Sequence, residues 1–99
     1  GWLRIDTDYY YLRGDGSMVT GWRKMDGKYY YFGSNGKLVR GWADIDGKRY
    51  FLQQDGTMLT GWQSIDGQIY YLYPDGHKAV NEVIDTFYVD QNGVWKKPQ

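Results

Sequence analysis

The sequence predicts an all-β chain, a tandem array of two-stranded β-hairpins with about twenty residues to a unit. Three observations carry this. Gly-Trp recurs in strict step at Gly1-Trp2, Gly21-Trp22, Gly41-Trp42 and Gly61-Trp62. Seven positions after each Trp a second segment opens, at Tyr9-Tyr10-Tyr11, Tyr29-Tyr30-Tyr31, Arg49-Tyr50-Phe51 and Ile69-Tyr70-Tyr71. A turn pair closes each of these segments, at Asp15-Gly16, Asn35-Gly36, Asp55-Gly56 and Asp75-Gly76. Self-similarity at a fixed period marks a repeat architecture, in which each unit is stabilised by its neighbours.

The units read as 1–20, 21–40, 41–60 and 61–80, within one repeat domain spanning 1–99. Between the Trp and the aromatic segment stand Asp26-Gly27, Asp46-Gly47 and Asp66-Gly67. Asp-Gly between β-prone segments signals a two-residue hairpin loop, because both central residues must take positive φ. The first unit has Asp6-Thr7 there, a weaker turn signal. An irregular fifth unit, 81–99, carries Phe87-Tyr88 and Asn92-Gly93 and has Asn81-Glu82 in the Gly-Trp place. It reads as a terminal cap, since an end repeat has no neighbour over its outer face.

With Asp26-Gly27 as the loop, Trp22 faces Tyr31 and Lys24 faces Tyr29 across the hairpin. One face then carries Trp22, Lys24, Tyr29 and Tyr31, and the other Arg23, Met25, Tyr30 and Phe32. The second face recurs as Ile5, Tyr10, Leu12, then Ile45, Tyr50, Leu52, then Ile65, Tyr70, Leu72, and is assigned to the core of the stack. A lone hairpin is marginal in water, so stacking supplies the stability. The Trp face is a candidate binding surface; the alternative is that its rings only pack between adjacent hairpins.

Composition narrows the function. The 12 basic and 12 acidic side chains cancel, so no long-range field favours nucleic acid or acidic membranes. The absence of Cys removes disulfides, thiolate metal sites and a cysteine nucleophile together. His77 is the one histidine and sits in a turn beside Pro74 and Asp75, and no catalytic triad, phosphate loop or metal-ligand spacing is present. The expectation is a noncatalytic module without cofactor or metal. No apolar run approaches the roughly 18 residues of a membrane span, and a secretory signal would have to lie outside this segment. Gly1 starts in phase with the repeat, which reads as a piece of a longer array.

The segments GWRKMDGKYYYFGSNGKLVRGW (21–42) and GWADIDGKRYFLQQDGTMLTGW (41–62) resemble the choline-binding, or cell-wall-binding, repeats of bacterial surface proteins and cell-wall lytic enzymes. Related repeats occur in streptococcal glucan-binding proteins and the receptor-binding tails of large clostridial toxins. The likeness is good over residues 1 to about 80 and loose beyond. It implies a β-solenoid of stacked hairpins wound in a superhelix, on the surface of a Gram-positive bacterium, bound to choline of cell-wall teichoic acids.

The resemblance also implies sites between successive hairpins. In these the Gly-Trp Trp, the aromatic seven residues later and a ring of the next repeat box a quaternary ammonium, with a Met nearby. A trimethylammonium group donates no hydrogen bond, so π faces must recognise it. Carried onto this chain, the first site is Trp2, Tyr9 and Tyr31 with Met18, and the second Trp22, Tyr29 and Phe51 with Leu38. The third would join Trp42 to Tyr71, but Arg49 stands in the cage position, where a guanidinium competes for the same rings. The fourth has Trp62, but Ile69 removes a wall and Lys78 replaces the Met. Both are expected to be degenerate for choline. Binding of a glucan-type polysaccharide by stacked rings, with Asp44, Arg49, Gln63 and Gln68 as hydrogen-bonding neighbours, is the competing reading, and a spacer or self-association role is a third. Met18 and Met58 otherwise read as gap fillers between hairpins.

Overall fold

A computed structural model describes residues 1–97, all as strands, turns and short irregular links, with no helix among them. The last two residues of the expected cap, 98 and 99, lie outside the described residues. Ten strands pair as five antiparallel hairpins: β1 (Trp2–Ile5) with β2 (Asp8–Tyr11), β3 (Gly21–Met25) with β4 (Lys28–Phe32), β5 (Gly41–Ile45) with β6 (Lys48–Leu52), β7 (Gly61–Ile65) with β8 (Gln68–Leu72), and β9 (Glu82–Ile84) with β10 (Phe87–Val89).

The hairpin loops have the expected geometry. Asp26, Asp46 and Asp66 take φ of 52°, 51° and 51°, and Gly27, Gly47 and Gly67 are also positive. This is the backbone a two-residue loop needs to match strand twist. The first hairpin closes on Asp6-Thr7 with Asp6 at φ 56°, so the weaker signal still makes the turn. The last closes on Asp85-Thr86, both at positive φ. The observed register pairs Trp22 with Tyr31 and Lys24 with Tyr29, as the loop dictates.

The second turn of each unit is an Asx turn. Asp15, Asn35, Asp55 and Asp75 each accept a bond on Oδ1 from the backbone NH two residues on, at 2.9 to 3.0 Å. After it comes a short return segment. Its NH groups bond both to the unit's own second strand, as Val39 to Tyr31 O at 2.9 Å, and to the preceding unit, as Leu38 to Tyr9 O at 2.8 Å. Hairpins are thus joined by backbone bonds as well as by side chains.

The chain divides into two compact units, Gly1–Gly41 with Leu52–Met58, and Trp42–Phe51 with Leu59–Gln99. In the first, Val19, Phe32 and Leu52 are fully buried, and the Trp2 ring lies on Tyr30 and Phe32 at centroid separations of 5.6 and 5.8 Å. In the second, Leu72, Ala79 and Val89 are fully buried, and Trp42 lies on Tyr70 at 4.9 Å. The two faces read from the sequence are therefore partners: the Trp face of one hairpin covers the apolar face of the next. This corrects the place of Ile5. It is 53% exposed, against 5% for Ile45 and 7% for Ile65, because no described hairpin lies over the first one.

Candidate ligand-binding grooves

Each groove is built from three elements. The first strand of a hairpin supplies the Trp, the second strand the residue seven positions later, and the return segment of the following unit closes one side. The bond of Leu38 N to Tyr9 O recurs as Met58 to Tyr29 at 2.9 Å, Lys78 to Arg49 at 2.7 Å and Trp95 to Ile69 at 2.8 Å. It places the return residue against the hairpin before its own. Leu38 and Lys78 therefore each stand one groove earlier than the sequence reading assigns them.

The first groove, within the first compact unit, is an opening of about 300 Å³ lined by Trp2, Tyr9, Leu38, Arg40, Gln54 and Asp55. Trp2 and Tyr9 meet edge to face at 6.5 Å, and Trp2 is 48% exposed. Met18 does not take the place expected of it. It packs against the turn at Gly36, where a Cβ would sit 2.1 Å from its Sδ, and Leu38 stands in the groove instead. Tyr31 is also elsewhere. It packs on its own Trp22 at 5.0 Å, while Tyr30 meets Trp2, because alternate residues of a strand point to opposite faces. Tyr9 carries the guanidinium carbons of Arg40 and Arg4 at 5.7 and 5.9 Å from its ring centre. The Asp55 carboxyl is held below its usual range by bonds from the Thr57 hydroxyl and NH, so it stays ionised.

Of the second set, Trp22 and Tyr29 belong to the first compact unit, and the return residue bonded to Tyr29 is Met58 rather than Leu38. Phe51 belongs to the second unit and packs on Trp42 of its own hairpin at 5.0 Å. The Lys24 ammonium lies 5.5 Å from the Tyr29 ring centre.

The third groove, on Trp42, holds two cations of the chain itself. Arg49 Cζ lies 5.4 Å and Lys78 Nζ 5.2 Å from the centre of the Trp42 ring. Tyr70, at 4.9 Å from Trp42, is the ring of the next repeat. The expected Tyr71 packs instead on Trp62, its cross-strand partner, at 5.0 Å. Arg49 also pairs with both oxygens of Asp44, at 3.1 and 3.2 Å.

The fourth groove differs most from expectation. An opening of about 200 Å³ is lined by Trp62, Ile69, Phe87 and Trp95, with no charged side chain. Lys78 is absent from it, having been drawn to Trp42. Phe87 meets Trp62 edge to face at 5.9 Å, as Tyr30 meets Trp2. Trp95 occupies the return position of the irregular unit, bridged to Val89 as Leu38 is to Phe32. Phe87 and Trp95 escape a reading by period because the fifth unit runs short. The signal that finds them is Asn92-Gly93, counted two residues back from Trp95 in the way Asn35-Gly36 stands two before Leu38. Such a groove can hold a group recognised by ring faces and dispersion, an organic cation or the apolar face of a sugar. Among the described residues no cluster of three or more metal-ligating side chains occurs.

The stack of two-stranded hairpins, about twenty residues to a repeat and with Trp-lined grooves, defines a class of β-hairpin repeat module. The chain belongs to the choline-binding repeat family, whose model matches residues 1–40 and 39–83. Among curated proteins none matches the sequence. Among solved structures, CbpJ from Streptococcus pneumoniae TIGR4 is 39% identical with a TM-score of 0.93, over 97% of this chain and 34% of that one. The choline binding domain of Spr1274 from Streptococcus pneumoniae is 34% identical with a TM-score of 0.73, over 80% of this chain and 96% of that one. An alternansucrase in complex with isomaltononaose is 25% identical with a TM-score of 0.66, over 97% of this chain and 8% of that one. The chain thus spans about a third of CbpJ. The all-β solenoid of stacked hairpins, about twenty residues per repeat, is the fold of this chain.

Proposed function

We propose that this chain is a noncatalytic module that anchors a protein outside the cell to choline groups of cell-wall teichoic acids, through aromatic cages between hairpins. Membership of the choline-binding repeat family and the likeness to the choline binding domain of Spr1274 support the ligand class. The observation that carries the reading is the fourth groove, where Trp62, Phe87 and Trp95 surround a neutral opening beside Ile69. Each ring over a quaternary ammonium contributes about 0.5 to 2 kcal/mol, so one cage is weak and attachment to a polymer relies on several contacts at once. In the first groove the Asp55 carboxylate beside Trp2 adds attraction for a cation, while Arg40 and Arg4 already draw on the Tyr9 ring.

One observation favours a glycan. Gln54, Asp55 and Arg40 ring the exposed Trp2, an arrangement suited to stacking a sugar and bonding its hydroxyls, and the alternansucrase that shares the fold was captured with isomaltononaose. The readings are separated by titrating the folded chain with choline and with an isomaltose oligosaccharide, following Trp fluorescence, and repeating with Trp62→Ala. A choline response that weakens in the variant supports the proposal. A response to the sugar alone selects the glycan reading, and silence to both leaves a structural spacer.

A further inference from the structure

The third groove is set apart by cations of the chain that lie over its Trp ring and by how firmly one of them is held. Lys78 is fixed at three points. Its NH donates to Arg49 O at 2.7 Å, its ammonium donates to Asn92 O at 2.8 Å, and its stem lies on Gly93, where a Cβ would sit 2.8 Å from Lys78 Cδ. From that position Nζ lies 5.2 Å from the Trp42 ring centre and 5.8 Å from that of Tyr70. Both are within the reach of a cation–π interaction. Arg49 approaches Trp42 as well, oriented by Asp44. The return positions equivalent to Lys78 hold Met18, Leu38, Met58 and Trp95, all without charge.

We infer that Lys78 is a tethered occupant of the Trp42–Tyr70 groove: its ammonium takes the place an external quaternary ammonium would take, and so sets which grooves of this chain are open. The occupant needs no diffusing partner, because the backbone bond to Arg49 delivers it and Asn92 holds its far end. An incoming trimethylammonium would have to displace an ammonium bonded to a carbonyl and would meet a second positive charge on Arg49. Burial and the neighbouring guanidinium hold the Lys78 pKa below the usual lysine value, in keeping with an ammonium enclosed beside another cation.

The inference rests on the reading that the open grooves take quaternary ammonium groups, and the test separates the two. Indole NH resonances of the five Trp are followed by NMR during a choline titration at constant ionic strength. The chain as it stands is compared with Lys78→Met and with Lys78→Met combined with Arg49→Tyr. Met and Tyr stand at the equivalent positions of other units, and Lys78→Leu, after Leu38, serves if the Met variant melts early.

The expected result is that Trp42 stays silent in the unaltered chain and responds in the variants, with apparent affinity for choline at Trp42 raised about tenfold or more. A Trp42 response in the unaltered chain overturns the inference, as does a silent Trp42 in the folded double variant. The response of Trp62 in the unaltered chain reports on the cell-wall reading separately. Trp62 silent with Trp42 gained removes that reading and keeps the tethered lysine, and the reverse pattern does the opposite. If neither responds in any variant, both fall. Without ligand, the ε-methylene protons of Lys78 are expected upfield, shifted by the Trp42 and Tyr70 rings, and to return to ordinary values in Trp42→Ala; ordinary shifts in the unaltered chain also overturn the inference.

Discussion

The backbone NH of Trp95 donates to the carbonyl of Ile69 at 2.8 Å, the bond that Leu38 makes to Tyr9 in the first groove. An irregular end unit therefore completes the last groove in the same way that a regular unit completes the first. The place where the repeat pattern is weakest in the sequence supplies two of the three rings of the least charged opening.

Trp95→Ala should weaken choline binding at the fourth groove by about 2- to 30-fold, the equivalent of one ring at about 0.5 to 2 kcal/mol. The backbone bond to Ile69 survives the truncation, so the fold is retained. Calorimetric titration measures the change, and an unaltered affinity would show that Trp95 is only a lid for the core.

Two glycines at positive φ should respond differently to alanine. Gly27 has open space where a Cβ would go, so only the backbone conformation resists, at about 1 to 2 kcal/mol. At Gly36 the Cβ would also collide with Met18, so the loss should exceed that of Gly27→Ala by about 1 to 3 kcal/mol. Urea unfolding of both variants checks the order. Trimming Met18 to Ala beside Gly36→Ala should recover part of the difference.

Phe32 is fully buried where the equivalent positions hold Leu12, Leu52 and Leu72. Phe32→Leu keeps the face apolar and should cost less than about 1.5 kcal/mol. Phe32→Ala leaves a cavity beneath Trp2 and should cost about 3 to 5 kcal/mol. Thermal unfolding separates the two, and near-equal losses would argue that the ring is not part of the packed core.

The Asx turns make the chain sensitive to acid. Hydrogen bonds from Ser17, Thr57, His77 and Val94 hold Asp15, Asp55, Asp75 and Asp90 below the usual carboxyl pKa. The folded state then binds fewer protons than the unfolded one. The stability from these turns is present above the unfolded carboxyl pKa of about 3.9 and is lost as pH falls through the lower folded values. The melting temperature should be level near neutral pH and drop below about pH 4. Asp55→Asn keeps the side-chain acceptor, as Asn35 does naturally, and should make the acid drop shallower. An unchanged slope would mean that other groups govern it.

Much of the fold is legible because its causes are local. Asp-Gly pairs dictate a two-residue loop, the loop dictates that Trp22 faces Tyr31, and alternation sorts Phe32 and Trp22 to opposite sides. The site was legible in kind but not in membership. Trp2 and Tyr9 line one groove, Trp62 and Ile69 another, and Arg49 lies over Trp42, since each Trp and its partner seven residues on share one hairpin. Met18, Leu38 and Lys78 find other neighbours than the sequence suggests because a return residue packs across a boundary between units, and Tyr31 and Tyr71 because each packs on the Trp of its own hairpin.

The period, the turns, the pairing inside every hairpin and the family were written in the order of residues, where the interacting groups are within a few positions of each other and the backbone has few choices. Which hairpin each return residue serves was decided only in three dimensions. A bond such as Lys78 N to Arg49 O spans 29 residues, and nothing local distinguishes it from a bond to the residue's own unit. That single offset carries the lysine out of the Trp62 groove and into the Trp42 groove, leaving one neutral and the other filled.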